Sequence, residues 1–212
     1  MAFANTVLIL APHTDDAELG CGGTIARMIE QGVSVHVAVF SSADDSLPAG
    51  VAPGTLLDEF RCAMTILSVP DAQQHVFDYK VRHLSEHRQA LLDALIHLKN
   101  AIRPDMVLMP SGSDLHQDHQ VVHNEGRRAF KEVTLWGYEL PWNHSSFSTQ
   151  AFVRLESRHI NMKWRALQSY ATQKQLGRPY FEKRFIEGLA CVRGAQIKTT
   201  YAEAFDVVRV SI

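Results

Sequence analysis

Apolar, β-branched segments alternate with amphipathic segments along this chain, and this order constrains the fold more than any other feature. Residues 6–11 and 33–40 form the first two apolar segments, and residues 22–31 between them have helical character. A connection of that length accommodates one crossover helix between parallel strands, which Gly32 is placed to end. The repeated order of strand and helix predicts an α/β fold, Rossmann-like, in which helices flank both faces of a mainly parallel sheet.

Later segments continue the pattern. Helical spacing is clearest over residues 85–101, and a short apolar run at 106–109 follows and stops at Pro110. We predict further helices at 56–67, 119–130, 161–172 and 179–193, and strands at 149–155 and 205–210. Because no repeat, low-complexity tract or linker interrupts the chain, residues 1–212 are expected to form a single domain. The loop at 41–54 exceeds the usual connection length and is interpreted as a functional loop or lid.

Composition excludes several classes of protein. Lys and Arg total 21 against 23 Asp and Glu, so the chain lacks the basic excess of a nucleic-acid-binding protein. Three cysteines occur without a C-x-x-C pair, which argues against a disulfide framework or thiolate zinc cluster and indicates a reducing, cytoplasmic compartment. The apolar run at 7–11 is too short for a membrane span. The sequence leaves open whether the chain forms a homo-oligomer.

Two clusters of His and Asp follow two of the predicted strands. His13-Thr-Asp-Asp16 comes after the first strand, and His116-Gln-Asp-His119 comes after the strand at 106–109. Ligands of open α/β sheets bind at the carboxyl ends of the strands, so both clusters are expected in one cleft. Two imidazoles and one carboxylate, from His13, Asp16 and His119, would leave an open position on a divalent ion. This donor set is typical of catalytic zinc or, as the alternative, Fe²⁺.

The remaining residues of the two clusters have the chemistry of acid–base catalysis. Asp15 is predicted to be the general base that takes a proton from a metal-activated water, and the alternative is that it caps the following helix. His116 is a candidate electrophile or general acid toward a leaving amine, with Asp118 orienting its ring and favouring the imidazolium. The alternative for His116 is a solvated loop residue.

The segment APHTDDAELGCGGTIA at residues 11–26 is similar to the first motif of the LmbE-like, or PIG-L, family of zinc-dependent N-acetylglucosaminyl deacetylases, usually A-H-P-D-D-x-x-x-G-x-G-G-T. His116-Gln-Asp-His119 is similar to the second motif, H-x-D-H. The resemblance implies that His13, Asp16 and His119 bind zinc and that Asp15 is the base. It also implies that His116, together with Asp118, supports the tetrahedral intermediate and the leaving group.

The substrate is less constrained by the sequence. Several members of sugar-thiol pathways carry a substrate-binding Arg three residues before the paired acids of the helix after the long loop, where this chain has Leu56. An anionic aglycone would therefore have no arginine to bind it, unless Arg61 faces the cleft. Glu18, Arg61 and Glu139 are the polar candidates for substrate binding.

These observations predict a zinc-dependent hydrolase that removes an N-acetyl group from an amino sugar or amino-sugar conjugate by attack of metal-bound hydroxide. A small N-acetylated sugar is the expected substrate. The alternatives are a metal-dependent amidase acting on a non-sugar amide and a non-catalytic metal-binding protein. A nucleotide-binding oxidoreductase is a further alternative, which rests only on Gly20, Gly22 and Gly23 after the first strand.

Overall fold

The computed structural model describes residues 4–211, in which strands and helices alternate along the chain. The strands are β1 (Thr6–His13), β2 (Ser34–Ser41), β3 (Gln74–Val76), β4 (Met106–Pro110), β5 (Thr134–Tyr138), β6 (Ala151–Leu155) and β7 (Tyr201–Arg209). The helices are α1 (Asp16–Glu30), α2 (Thr55–Leu67), α3 (Arg88–Ile102), α4 (Gln117–Ala129), α5 (Ser157–Leu167), α6 (Ala171–Gln175) and α7 (Lys183–Gln196).

The strands form one sheet in the order β3-β2-β1-β4-β5-β7-β6. The pairs from β3 through β5 are parallel, whereas β7 runs antiparallel to both of its neighbours. This confirms the predicted fold class of a mainly parallel sheet flanked by helices. The sequence pattern did not indicate β3, which is only three residues long, or β5, in which Gly137 interrupts the apolar run.

The central strand β1 is buried on both faces, which explains its nearly continuous apolar sequence. Val7, Ile9 and Ala11 belong to a core cluster shared with residues of α1, α2 and α5. Leu8 and Leu10 point to the opposite face and pack with residues of α3 and α4. Since successive side chains of a strand face opposite ways, one strand holds both helical layers together. No helix within residues 4–211 is long and apolar enough to cross a membrane.

Helix α1 begins earlier than the sequence predicts, at Asp16, and it contains a kink where Cys21 leaves helical geometry (φ −145°). The backbone N–H groups of Gly23 and Thr24 donate to the Glu203 carboxylate of β7 at 3.1 and 2.7 Å. Glu203 therefore caps the second half of the helix, in the way that an acidic side chain satisfies free N–H groups at a helix start.

Lys163 of α5 completes this arrangement. Its ammonium donates to Glu203 at 2.7 Å and to the Leu19 carbonyl at 2.7 Å, and both charged side chains are buried. A Cβ on Gly22 would lie 2.9 Å from Cγ of Lys163, so this glycine allows the close approach of α5.

A Cβ on Gly20 would overlap the Tyr138 ring, and one on Gly23 would lie 2.6 Å from Leu155. The glycines after β1 thus serve the close packing of α1, and the structure gives the oxidoreductase alternative no support from them.

Replacement of Glu203 by Ala is expected to lower the free energy of unfolding by about 3–5 kcal/mol, because it leaves a buried ammonium without its partner. Urea unfolding of the variant and the parent measures the difference. Glu132→Ala is the matched control, since Glu132 is exposed and pairs with Lys99 at 3.0 Å; its loss should cost less than about 1 kcal/mol. Equal effects of the two variants would contradict a structural role for the buried pair.

Candidate active site

The carboxyl ends of β1 and β4 bring the two His and Asp clusters together. His13 is the last residue of β1, and His116 occupies the N-cap of α4, which follows β4. The rings of His13 and His116 have centroids 5.0 Å apart, and those of His116 and His119 are 4.5 Å apart. The two clusters therefore share one site, at the edge of the sheet where the sequence predicts it.

Three donor atoms form a nearly equilateral triangle. Asp16 Oδ2 lies 3.2 Å from His13 Nδ1 and 3.2 Å from His119 Nε2, and the two nitrogens are 3.3 Å apart. Ligand atoms that bind one zinc ion at about 2.0–2.1 Å with tetrahedral angles lie about 3.3 Å from one another. The donor set and its spacing therefore fit a divalent ion.

Two further carboxylates contact the ring nitrogens of His119 and His13 that point away from the triangle. His119 Nδ1 lies 2.7 Å from Asp114 Oδ2, and His13 Nε2 lies 3.0 Å from Asp118 Oδ2. Metal-binding histidines usually donate their other ring N–H to a carboxylate, which turns the unprotonated nitrogen toward the metal. No motif in the sequence marks Asp114, and its position in a polar loop, five residues before His119, is the only local signal of this role.

The structure corrects the predicted partner of Asp118. Its carboxylate contacts His13 and accepts hydrogen bonds from the backbone N–H groups of Arg82 (2.6 Å) and Leu84 (3.3 Å). His116 instead accepts a hydrogen bond at Nδ1 from the Asp118 backbone N–H, at 3.2 Å. The reason is helical geometry, because the side chain of an N-cap residue accepts a hydrogen bond from a free backbone N–H in the first turn that follows it. The Asp118 side chain therefore orients His13.

This hydrogen bond also determines the tautomer of His116. Because Nδ1 accepts, the neutral ring carries its proton on Nε2. Burial lowers the pKa of His116 to about 4, and the charges of His119 and His13 act in the same direction. The Asp16 and Asp118 carboxylates do favour the imidazolium, as predicted, but burial outweighs them and the pKa of His116 falls. The neutral ring presents a hydrogen-bond donor.

His116 also belongs to a second candidate donor set. One nitrogen from each of His13, His116 and His119 lies within 4.8 Å of the other two, so these three histidines could hold a metal ion. The triangle that includes Asp16 is tighter, with all separations between 3.2 and 3.3 Å.

The charges around the triangle favour a cation. Burial alone would raise the pKa of Asp16, but the neighbouring His119 and His13 outweigh it and hold that pKa well below its usual range. Burial opposes protonation of His119, yet the Asp16 and Asp114 carboxylates raise its pKa to about 10. The negative charges that stabilise a proton on His119 would also stabilise a divalent cation bound in its place.

Asp15 lies beside the triangle and faces a small cavity. It occupies the N-cap position of α1, but its side chain makes no capping hydrogen bond, so the helix-cap alternative is not supported. Burial and the charge of Asp16 raise the pKa of Asp15 to about 6. The cavity has a volume of about 110 Å³ and is lined by His13, Thr14, Asp15, Ala43, Ser46, Leu56, Val81, His116, Gln173 and Arg178. Ala43 and Ser46 come from the long loop at 41–54.

The structure places none of the three predicted substrate-binding residues in this cavity. Glu18 is fully buried and accepts a hydrogen bond from the Tyr170 hydroxyl at 2.7 Å, and burial raises its pKa to about 8. Arg61 is exposed and lies 3.7 Å from Asp58. Glu139 is buried and accepts from Nε of Arg193 at 2.9 Å.

These predictions are corrected because a polar residue near a strand end can point toward the core or the solvent as easily as into the cleft. Gln173 and Arg178, which do line the cavity, were missed. Both residues lie between the predicted helices at 161–172 and 179–193, and no motif in that connection marks them.

Comparison with known proteins is consistent with this site. The model of the PIG-L family, described as GlcNAc-PI de-N-acetylase, matches residues 8–130. The uncharacterized deacetylase YaiS of Escherichia coli strain K12 is 28% identical over 174 residues, covering 77% of this chain and 89% of the relative.

Solved structures share the fold. The N,N'-diacetylchitobiose deacetylase of Pyrococcus horikoshii superposes with a TM-score of 0.81 at 19% identity, covering 97% of this chain and 84% of that chain. GalB, the 4-carboxy-2-hydroxymuconate hydratase of Pseudomonas putida KT2440, superposes with a TM-score of 0.76 at 19% identity and covers 98% of both chains. The family match includes both His and Asp clusters and extends over more than half of the sequence. The chain belongs to the PIG-L family of de-N-acetylases.

Proposed function

We propose that this chain is a zinc-dependent hydrolase that removes an N-acetyl group from an amino sugar or an amino-sugar conjugate. The observation that carries the proposal is the triangle of His13 Nδ1, Asp16 Oδ2 and His119 Nε2, next to a carboxylate in a cavity. Membership of a deacetylase family supports the reaction type. The Pyrococcus horikoshii enzyme of similar fold, named for a diacetylated sugar, supports the choice of an N-acetylated sugar as substrate.

His13, Asp16 and His119 are the proposed metal ligands, with zinc as the metal and Fe²⁺ as the alternative. His116 is left out of the set because its Nδ1 already accepts a backbone hydrogen bond and its Nε2 carries the ring proton. When bound, a divalent ion polarises an amide carbonyl and lowers the pKa of water. The carboxylates of Asp114 and Asp118 position the His119 and His13 rings for this role.

Asp15 is the proposed general base. Its side chain lines the cavity and has no helix-capping bond, so the carboxylate is available to a water molecule there. With a pKa raised to about 6, the carboxylate is ionised at neutral pH yet basic enough to take a proton from the attacking water. The same proton is then available for the nitrogen of the departing amine, so the reaction balances as amide plus water giving acetate plus amine.

His116 is proposed to stabilise the tetrahedral intermediate. Its ring lines the cavity beside Asp15, and its protonated Nε2 is a hydrogen-bond donor. A donor placed where charge develops accelerates acyl transfer without needing to be charged itself. Asp118 supports both rings, through its carboxylate to His13 and through its backbone N–H to His116.

The direct test pairs metal analysis with acetate release. Purified protein loaded with one equivalent of zinc or Fe²⁺ is expected to release acetate from N-acetylglucosamine or N,N'-diacetylchitobiose. Simple amides such as N-methylacetamide should react much more slowly. Faster release from the simple amides would favour the amidase alternative, and stoichiometric metal without any acetate release would favour a non-catalytic metal-binding protein.

The proposed division between ligands and catalytic residues predicts different behaviour for two neighbouring histidines. His119→Ala should lose both bound metal and activity, because it removes one corner of the donor triangle. His116→Ala should retain metal while its turnover falls by about 10²–10³-fold, the usual effect of losing one such donor. Elemental analysis of dialysed protein and acetate release measure the two properties. Equal loss of metal in both variants would instead support the donor set of three histidines.

Asp15→Asn is expected to keep the metal and to lower turnover by about 10²–10⁴-fold, the range typical of a lost general base. The base acts only when deprotonated, so parent kcat/KM should rise with pH until the Asp15 carboxyl has ionised, near or below pH 6. Above that pH the rate should level off. The variant should lack this acid limb, and a variant that retains full activity would exclude Asp15 as the base.

A further inference from the structure

Arg178 brings a positive charge to the wall of the cavity that holds His13, Asp15 and His116. Within residues 4–211, no carboxylate oxygen lies within 4.0 Å of its guanidinium, in contrast to Arg61 and Arg193, which each pair with an acid. Among the described residues that line the cavity, Asp15 is the only carboxylate, and it lies beyond that distance. The Arg178 charge is therefore not neutralised by a direct ion pair in this part of the chain.

The guanidinium is nevertheless held in place. Nη1 donates to the Tyr180 hydroxyl at 2.9 Å, and Cζ lies 5.9 Å from the centroid of the Tyr180 ring. That ring stacks on Trp142 with centroids 3.8 Å apart and an angle of 10° between the planes. A side chain fixed in this way loses less conformational entropy when a ligand binds than a freely moving arginine does.

The segment that carries Arg178 is also anchored. Thr172 donates from its backbone N–H and its hydroxyl to the buried Glu59 carboxylate, at 2.9 and 2.6 Å. Gln173, which is buried and lines the cavity, donates to the Thr172 hydroxyl at 3.3 Å. Gly177 then adopts φ +65°, a left-handed conformation that glycine takes readily, and the chain turns toward the cavity at Arg178.

We infer that Arg178 binds an anionic group of the substrate, a carboxylate or a phosphate, so that the preferred substrates are acidic N-acetylated amino sugars. The N-acetyl part of this statement rests on the proposed function. The anionic part rests on the position, the immobilisation and the missing ion pair of Arg178. Only one of its five N–H donors meets Tyr180, which leaves others for the paired hydrogen bonds that arginine makes to planar or tetrahedral oxyanions.

Equilibrium binding tests this inference without requiring turnover. The probes are the product amines glucosamine, glucosamine 6-phosphate and muramic acid, titrated calorimetrically into zinc-loaded protein; the latter two present a phosphate and a carboxylate. At least one acidic probe should bind about tenfold or more tightly than glucosamine, in line with one charge-assisted contact. Arg178→Gln should abolish that preference, whereas Arg178→Lys, which keeps the positive charge, should retain part of it.

Arg61→Gln is the matched control, because it removes an arginine that is exposed and outside the cavity. It should leave the preference intact, and thermal unfolding should show that all variants are folded. The inference is overturned if neither acidic probe binds more tightly than glucosamine, or if the preference persists in Arg178→Gln. Absence of acetate release from every sugar would contradict the proposed hydrolase but not an Arg178-dependent preference in binding. Release of acetate without that preference would support the proposed hydrolase and contradict the role of Arg178.

Discussion

The Asp16 carboxylate is the contact on which the arrangement of the site depends. Its Oδ2 accepts from the His13 backbone N–H at 2.8 Å and lies 3.2 Å from the ring nitrogens of His13 and His119. It therefore joins the end of β1, the start of α1 and the first turn of α4 at one atom. Burying this charge is costly unless cationic or hydrogen-bonding partners surround it. The surrounding imidazoles and backbone provide such partners, and together they make a position suited to a cation.

Local signals were enough to predict the main framework. The apolar runs of β1, β2 and β4 and the helical spacing of α3 are each visible within a single stretch of sequence. The two His and Asp clusters were assigned to one cleft because parallel strands end at the same edge of a sheet. Where the pattern was interrupted the prediction was poorer. The first part of α1, which contains Gly20 and the kink at Cys21, was not predicted, and neither was β5, which contains Gly137.

Long-range contacts account for the features that could not be predicted. The Asp118 carboxylate contacts His13, 105 residues away, whereas sequence proximity suggested His116. Glu18 and Glu139 lie near strand ends in the sequence, yet each pairs with a side chain from the C-terminal part of the chain, Tyr170 and Arg193 respectively. The direction of a side chain is set by the packing of distant segments, and hydrophobic periodicity contains no information about those segments.

The kinked helix α1 shows how the two parts of the chain depend on each other. Every proposed metal ligand and catalytic group lies within residues 8–130, the range matched by the family model. The Glu203 cap of α1, its partner Lys163 and the cavity residues Gln173 and Arg178 all lie beyond that range. The cavity itself is lined from both stretches, by Leu56 and Val81 of the first and by Gln173 and Arg178 of the second. Because Glu203 and Lys163 hold the helix that begins at Asp16, a substitution far along the chain can shift the position of that carboxylate through the packing of α1.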